Sequence, residues 1–417
     1  MLSSLQSHEE EEDSTTNPTT TSFIPTPTSQ YLFPTSSSPR QVLIRCAELI
    51  HHGDRPAALR IVSFLISAVS PLGDSSDRVA YHFAQALIRL IGSSNAGSSP
   101  STSMIKCSTQ LVQPAYLAFN QITPFLRFAH LTANQAILEA IDGHRGVHII
   151  DMDSAHGFQW PPLLQAIAVH GYRGDTGPPS VRITGAGGDV NALRRTADRL
   201  HAFARSLGLP FQFNPLYLPS YNLGSSLMQL HQSSSSTENG EVLIVNCVLF
   251  MHKLLYGDRD ERQLHEFLAT VRAMGPAVVT IAERELGVAS APQDFFRVFS
   301  EALDYYTAVF EALEATVPPN SVDRREVEER WLGEEIKESL VPAGGTGGTG
   351  GMRFERWDVI MRESGFTPRR LSEYSLSQAR LLLRLHYPSE GYQLHVSREG
   401  LFLGWQTRPL FSVSSWQ

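Results

Sequence analysis

Apolar residues recur at the three- and four-residue spacing of helices between residues 40 and 142. A first helix is predicted from Gln41 to Ile50, and Gly53-Asp54 ends it and begins the next. A Ser/Gly-rich loop at about residues 92–103 interrupts the pattern. Further helical segments are predicted at Arg55–Val69, Asp74–Ile91 and Leu111–Ile141. Together they predict an all-helical cap subdomain.

From residue 143 onward, short β-branched runs alternate with amphipathic helical segments. This alternation predicts a parallel sheet covered by helices on both faces, which is a doubly wound α/β domain. The predicted strands are Val147–Asp151, Val181–Thr184, Val242–Asn246 and Ala277–Ala282. The predicted helices are Pro161–Val169, Asp189–Ser206, Glu261–Met274 and Phe295–Ala315.

The alternation ends after a Gly-rich linker at Gly344–Gly351. Two helices, Phe354–Ser364 and Leu376–Leu385, are followed by three short apolar segments, and the turn Arg398-Glu399-Gly400 predicts a hairpin. A parallel sheet that finishes in an antiparallel hairpin is the Rossmann-like arrangement of adenosylmethionine-dependent methyltransferases. The pattern therefore predicts a Rossmann-like α/β fold with an N-terminal helical cap. A fold of this kind does not by itself indicate an enzymatic activity.

The amino-acid composition indicates where the folded domain begins. Residues 1–38 combine an acidic run, Glu9–Asp13, with many Ser, Thr and Pro residues, which predicts a disordered tail. The acidic run is interpreted either as a solvated tail or as an interaction element. We therefore predict a tail at 1–38 and one domain at 39–417. Within that domain, the helical subdomain spans about 40–142 and the α/β core about 143–417.

Charge and cysteine content exclude several classes of protein. A net charge of −8 argues against a broad phosphate-binding surface, so any contact with nucleic acid must be local. The three cysteines lack the spacing of a disulfide framework or a zinc site. No apolar run approaches the roughly 18 residues of a membrane span, so we expect a soluble intracellular protein without membrane contact.

The loop after the first strand bears on catalysis. Cofactor-binding relatives of this fold need several glycines there, yet the segment from Asp151 to Phe158 has one, so we expect no cofactor, no metal and no catalytic residue. Two alternatives stay open: an acid–base pair of Asp151 with Asp153, and a ribose contact by Asp189. The simpler interpretation of Asp189 is a helix cap.

Several motifs resemble those of the plant GRAS family. Val147, His148, Ile149, Ile150 and Asp151 match its VHIID motif, and Gly157–Leu163 continues the match. The C-terminal residues Gly404, Trp405, Ser414, Ser415 and Trp416 resemble its SAW motif, and Arg324–Glu328 loosely resembles its RVER motif. The segment Leu381–Tyr392 is similar to the Lateral suppressor or monoculm subgroup.

The resemblance implies a nuclear transcriptional regulator of axillary meristem initiation and shoot branching. It implies partners among other transcription regulators, GRAS proteins and a second copy of this chain included. Apolar stripes of the helical subdomain would supply that surface. Two alternatives remain: a direct DNA binder, with Arg194, Arg195 and Arg199 contacting phosphates, and an adenosylmethionine-dependent small-molecule methyltransferase.

Overall fold

The structure is a computed structural model. It describes residues 37–93, 109–154, 156–171, 177–218, 240–255, 261–287, 295–340 and 352–417. The predicted tail, apart from residues 37 and 38, lies outside these ranges, as do most of the Ser/Gly-rich loop and the whole Gly-rich linker. Residues 38–417 form one compact unit.

Five helices precede the sheet, and local capping explains where the first two begin. Ser38 caps the first helix in a capping box, in which the Gln41 side chain accepts a hydrogen bond from the Ser38 backbone N–H at 3.1 Å. Asp54 caps the second helix through the Ala57 N–H at 3.1 Å. The five helices are α1 (Pro39–His51), α2 (Arg55–Ala68), α3 (Ser75–Ser93), α4 (Thr109–Ile122) and α5 (Phe125–Ala140).

The sheet contains nine strands in the described residues, in the order β3-β2-β1-β4-β5-β9-β8-β7, with β6 paired to β9. Strands β1 to β5 are parallel, and β9, β8 and β7 continue the sheet in antiparallel pairing. The strands are β1 (Gly146–Asp151), β2 (Ser180–Gly187), β3 (Phe211–Tyr217), β4 (Val242–Val248), β5 (Val278–Arg284), β6 (Pro368–Arg369), β7 (Tyr392–Ser397), β8 (Gly400–Trp405) and β9 (Arg408–Trp416). The predicted Rossmann-like fold with a C-terminal antiparallel hairpin is confirmed.

Helices cover both faces of the sheet because the strand side chains alternate. Val147 and Ile149 of β1 pack in one apolar cluster with α5, α6 and α7, whereas Ile150 packs in the other with α8 and α12. The remaining helices are α6 (Trp160–Gly171), α7 (Val190–Ser206), a 3₁₀ turn (Met251–Leu255), α8 (Arg262–Ala273), α9 (Phe295–Thr316), α10 (Val322–Glu326), a π-helical turn (Val327–Leu332), α11 (Gly333–Ser339), α12 (Phe354–Glu363) and α13 (Glu373–His386).

The helical layer is formed by helices from two parts of the chain, one before β1 and one after β5. Helices α9 and α11 pack on α3, and α10 with the π-helical turn packs on α4. A buried ion pair joins these parts: Arg78 of α3 donates through Nε to both carboxylate oxygens of Glu328, at 3.0 and 3.2 Å. Both side chains are 2% exposed. The helical layer therefore includes residues that follow β5 as well as those before β1.

The sequence-based prediction lacks strand β3 and the helical run from Val322 to Ser339, as well as the short strand β6 and the 3₁₀ turn. Strand β3 contains Pro215, and a proline argues against a central strand. The strand nevertheless forms because β3 is an edge strand of the sheet, where proline is tolerated. The helical run from Val322 to Ser339 has too short a periodic pattern to stand out, and its π-helical turn shifts the helical register.

The predicted hairpin at Arg398-Glu399 forms a two-residue turn in which both residues have positive φ, 47° and 67°. These angles suit Asn-Gly far better than Arg-Glu. We expect the double variant Arg398→Asn/Glu399→Gly to gain about 0.5–1 kcal/mol in the free energy of unfolding. Urea denaturation checks this, with Arg398→Ala as the control; a double variant no more stable than that control would contradict the turn geometry.

Candidate functional site at the carboxyl edge of the sheet

A row of polar residues crosses the sheet where the VHIID motif ends. Asp151, the last residue of β1, is in register with Gly185 of β2 and Asn246 of β4, and Asn246 is in register with Thr280 of β5. Ser415 of β9 continues the row beside Thr280. Since the carboxyl ends of parallel strands carry the ligand sites of this fold class, this row is the place to look for chemistry.

The Asn246 amide is the centre of the hydrogen bonds in this row. Its Nδ2 donates to Asp151 Oδ1 and Gln159 Oε1, both at 3.0 Å. Its Oδ1 accepts from Gln159 Nε2 at 3.0 Å and from Thr280 Oγ1 at 2.8 Å. Gln159 also bonds Asn134 of α5, through Nε2 to Oδ1 at 3.1 Å and from Asn134 Nδ2 to its carbonyl at 2.9 Å. This buried, well-paired network connects α5 with three strands.

Asp151 is fully engaged by its neighbours. Its Oδ2 accepts hydrogen bonds from Trp160 Nε1, at 2.9 Å, and from the Ser154 hydroxyl. Burial raises the pKa of Asp151 to about 6, against the lowering effect of bonds from Ser154, Asn246 and Trp160. Asp153 is partly exposed and binds Lys253 at 2.6 Å. Asp151 and Asp153, which the sequence offers as an acid–base pair, therefore bind different side chains.

The raised pKa of Asp151 predicts a pH dependence. The folded state holds this proton more tightly than the unfolded chain, whose aspartate pKa is about 3.9, so Asp151 stabilises the fold less as the pH rises from 4 to 6. We expect the free energy of unfolding of the wild type to fall across this window relative to Asp151→Asn. The variant should be less stable overall by about 1–3 kcal/mol, since an amide N–H₂ replaces one acceptor. Parallel pH profiles would contradict the shift.

Side chains fill the space over the glycines of β2. A Cβ on Gly185 would lie 2.7 Å from Ser154 Cβ and would also overlap the Phe213 ring. The Ser154 N–H donates to the Ala186 carbonyl at 2.8 Å, which holds the loop against β2. Gly157 has φ +62°, and a Cβ there would lie 2.5 Å from Thr196 Cγ2. The loop after β1 therefore packs on β2 where a cofactor would need open space.

Asp189 caps α7. Its Oδ1 accepts from the backbone N–H groups of Asn191, at 2.8 Å, and Ala192, at 3.1 Å. This is the N-cap geometry that the simpler interpretation of the sequence predicts. The carboxylate is consequently engaged by the helix N-terminus.

Stacked aromatic rings cover the loop after β1. Tyr116 of α4 stacks on His156 with centroids 4.1 Å apart, and Trp331 of the π-helical turn meets Tyr116 edge-on at 5.3 Å. Arg199 donates to the His156 carbonyl at 2.7 Å and lies over the Phe158 ring at 5.8 Å. Arg199 therefore stabilises the loop.

The other two arginines proposed for DNA contact differ from Arg199. Arg194 and Arg195 are exposed on α7 and, within the part of the chain that the structure describes, form no ion pair. Of the three arginines, Arg194 and Arg195 therefore remain available to contact a phosphate.

His148 of the VHIID motif is inside the sheet. Its side chain is fully buried, with Nε2 2.8 Å from Thr184 Oγ1. Burial lowers its pKa to about 4, so the ring is neutral at physiological pH. Val147, Ile149 and Ile150 are also buried, and the motif acts as the central strand.

The SAW-like residues complete the other half of the sheet. Ser415 Oγ donates to the Arg369 carbonyl at 2.8 Å, which ties β9 to β6. Trp416 is fully buried and donates through Nε1 to Ser414 Oγ at 2.9 Å. Trp405 is buried against Tyr392, and Gly404 lies at a bulge where a Cβ would overlap the Arg408 carbonyl. These contacts give the motif a structural role.

Two further observations concern ligands and membranes. Among the described residues, no three His, Cys, Asp or Glu side chains are grouped so that they could hold a metal ion. No helix in the described ranges combines the length and apolar character needed to cross a membrane.

Sequence reasoning missed the buried network and the Arg78–Glu328 pair. A signal for the first was present, because Asn246 interrupts an apolar strand and a buried amide needs partners. Nothing local marks the second, since its members are 250 positions apart.

Comparisons with known proteins agree with the motifs. Residues 39–417 match the model of the GRAS domain family. The chain is 50% identical over 400 residues to Protein MONOCULM 1 of Oryza sativa subsp. japonica, covering 91% of this chain and 88% of that protein. It is 41% identical to Scarecrow-like protein 18 of Arabidopsis thaliana, covering 91% of each.

The same likeness extends to a solved structure. The crystal structure of SCL7 in Oryza sativa superposes with a TM-score of 0.76 at 32% identity, covering 92% of this chain and all of that one. With the family model spanning the whole folded unit, these findings show that the chain belongs to the GRAS domain family.

Proposed function

We propose that this GRAS protein is a nuclear transcriptional regulator that acts mainly through contacts with other proteins, in axillary meristem initiation and shoot branching. Family membership and the likeness to Protein MONOCULM 1 support the regulatory and developmental parts. The contact part is carried by one observation, an exposed apolar face on α13. Its proposed partner is another transcription regulator, GRAS proteins included.

The α13 face consists of Tyr374, Leu381 and Leu385, which are 66%, 46% and 62% exposed. Their spacing of seven and four places them along one stripe of the helix, while Ser375, Ala379 and Leu382 form a neighbouring stripe that is buried. Leucines exposed on one stripe of a helix are typical of a surface that a partner covers.

Charge defines the partner further. Arg380 and Arg384 flank the α13 face, are exposed, and form no ion pair within the described ranges. An amphipathic helix with leucines and carboxylates would match both features. The apolar stripe predicted for the N-terminal subdomain is less suitable, because Leu43, Ala47 and Leu126 are buried in the core.

A two-hybrid assay against a panel of GRAS proteins, with a second copy of this chain included, tests this proposal. We expect Leu381→Ser/Leu385→Ser to abolish the interactions that the wild type makes. Leu72→Ser, which removes an apolar side chain that is 68% exposed elsewhere, should leave them intact. Interactions that survive in the α13 variant would refute this surface.

Direct DNA binding is a second candidate, favoured by Arg194 and Arg195, which are exposed and have no ion-pair partner among the described residues. It predicts binding to duplex DNA that weakens with salt and is lost in Arg194→Ala/Arg195→Ala. If contacts with proteins dominate, the purified chain binds duplex weakly and the variant behaves as the wild type does.

We also propose that the methyltransferase-like scaffold has lost its chemistry. Ser154 and Phe213 fill the space over Gly185, Asp189 caps a helix, and Asp151 is bound on both oxygens, so the residues present do not fit adenosylmethionine. Calorimetry with adenosylmethionine should show no binding. Micromolar binding that weakens in Asp151→Ala or Asp189→Ala would restore the enzymatic alternative.

A further inference from the structure

A cleft of about 540 Å³ opens between α9 and the antiparallel end of the sheet. Helix α9 contributes Asp304, Thr307 and Glu311 to one wall, and β7 and β8 contribute His395 and Phe402 to the other. The remaining lining residues include Arg40, Glu285, Arg353, Glu355, Trp405 and Arg408. This volume lies within the range of specific ligand sites, about 300–1,000 Å³. We call it the α9 cleft.

The three arginines of the α9 cleft already have carboxylate partners. Arg40 pairs with Asp304, and Arg353 pairs with Glu301, which lies beside the cleft. Arg408 bonds Glu301 at 2.7 Å and lies 3.7 Å from Asp304. The three guanidinium groups therefore share two carboxylates, Glu301 and Asp304.

Three carboxyl groups of the cleft have no such partner. Within the described ranges, Glu285, Glu311 and Glu355 form no ion pair with Lys, Arg or His. Glu285 and Glu355 lie within the electrostatic influence of Arg353, but the guanidinium of that residue hydrogen-bonds Glu301. The four acidic lining residues and the neighbouring Glu301 thus outnumber the three arginines, and the cleft has an excess of negative charge.

Glu285 is the most unusual of the three. It is 5% exposed, its Oε2 accepts from the Phe354 N–H at 3.2 Å, and its Oε1 has no hydrogen-bond partner. Burial raises its pKa to about 7, against the lowering effect of hydrogen bonds from Ser412 and the Phe354 N–H, and nearby Glu355 raises it further. A buried acceptor without a donor is costly, and a cation entering the cleft would supply one.

Aromatic residues complete the lining. His395 and Phe402 have ring centroids 5.9 Å apart on neighbouring strands, and Trp405 lies at the end of β8. Rings of this kind favour the aliphatic stem and the charged head of Lys or Arg.

We propose that the α9 cleft binds a Lys- or Arg-bearing extended segment of a partner protein. The acids recognise the cationic head, the rings accommodate the stem, and the cleft has room for a few residues. This site is separate from the α13 face and goes beyond the proposed function, because it specifies a basic partner segment where the α13 face calls for an acidic one.

Fluorescence anisotropy with fluorescein-labelled tetra-arginine and the full chain tests the proposal. We expect Glu311→Gln/Glu355→Gln to weaken binding at least about tenfold, since both substitutions remove uncompensated charge from the cleft. The matched control is Glu329→Gln/Glu363→Gln, which removes two exposed carboxylates outside the cleft, one of them on the same helix as Glu355. That control should change the affinity less than about twofold.

A labelled tetraglutamate should not bind. Undetectable binding of tetra-arginine, or equal weakening in the two double variants, would overturn the proposal, because equal weakening signifies attraction to the net charge of −8 alone. The measurement involves no α13 residue and no transcriptional readout. The proposal for the α9 cleft can therefore fail this test while the proposed function holds. Equally, the proposed function can fail its own test while the cleft binds tetra-arginine.

Discussion

Replacing Glu328 by glutamine should lower the free energy of unfolding by about 3–5 kcal/mol, the largest single effect that we expect in the helical layer. Arg78 and Glu328 are each 2% exposed and joined at 3.0 Å, so the variant leaves the Arg78 charge buried with only Glu314, at 3.0 Å, to balance it. Urea denaturation followed by circular dichroism measures the change.

An exposed ion pair in the same part of the fold provides the matched control. Arg89 of α3 and Glu334 of α11 form an exposed pair at 3.8 Å, and Glu334→Gln should cost less than about 1 kcal/mol. The double variant Arg78→Met/Glu328→Leu should recover only part of the loss, because it removes the buried Arg78 charge but leaves Arg324, 3.8 Å from Glu328 in the wild type, without that partner. Equal costs for Glu328→Gln and Glu334→Gln would show that the buried pair contributes little.

Replacing Asn246 by leucine should cost about 3–5 kcal/mol, because the substitution removes hydrogen-bond partners from Asp151, Gln159 and Thr280 at once and each buried group left unpaired costs about 1–3 kcal/mol. The loss should also loosen α5 from the sheet, since Gln159 connects Asn246 to Asn134. Thermal unfolding and amide exchange in α5 measure both effects.

Cys247→Ala is the control for Asn246→Leu. Cys247 is the next residue of β4 and is fully buried in the cluster on the other face of the sheet, so its truncation leaves the network intact. It should cost about 1 kcal/mol and leave exchange in α5 unchanged. If Asn246→Leu were no worse than this control, the network would not be what holds the two layers together.

The sheet could be predicted from the sequence because its signal is local. Continuous β-branched runs such as Val242–Asn246 identify buried parallel strands, and helix caps such as Asp54 mark boundaries. Strand β3 was missed where Pro215 breaks the local rule and only its place at the end of the sheet permits it.

The candidate site could be predicted only in part. VHIID indicated where it lies, and the single glycine after Asp151 indicated that the loop is structural. The partners of Asp151 could not be predicted, because Asn246 and Trp160 reach it only once the strands are in register and α6 is docked. For the same reason the sequence does not distinguish Arg199 from Arg194, although in the structure Arg199 donates a hydrogen bond to the loop after β1.

The α13 face and the exposed side of α7 differ in chemical character. Both surfaces are exposed, but the first presents leucines, which suit a protein partner, and the second presents arginines, which suit a phosphate. A regulator that works through partners needs the first and tolerates loss of the second.

The most direct test is a transcriptional reporter in plant protoplasts, driven by a promoter that responds to the wild-type chain. Three proteins are compared at equal nuclear abundance: the wild type, Leu381→Ser/Leu385→Ser and Arg194→Ala/Arg195→Ala. We expect the α13 variant to lose the response and the α7 variant to keep it. A response that survives in the α13 variant and disappears in the α7 variant would contradict this expectation.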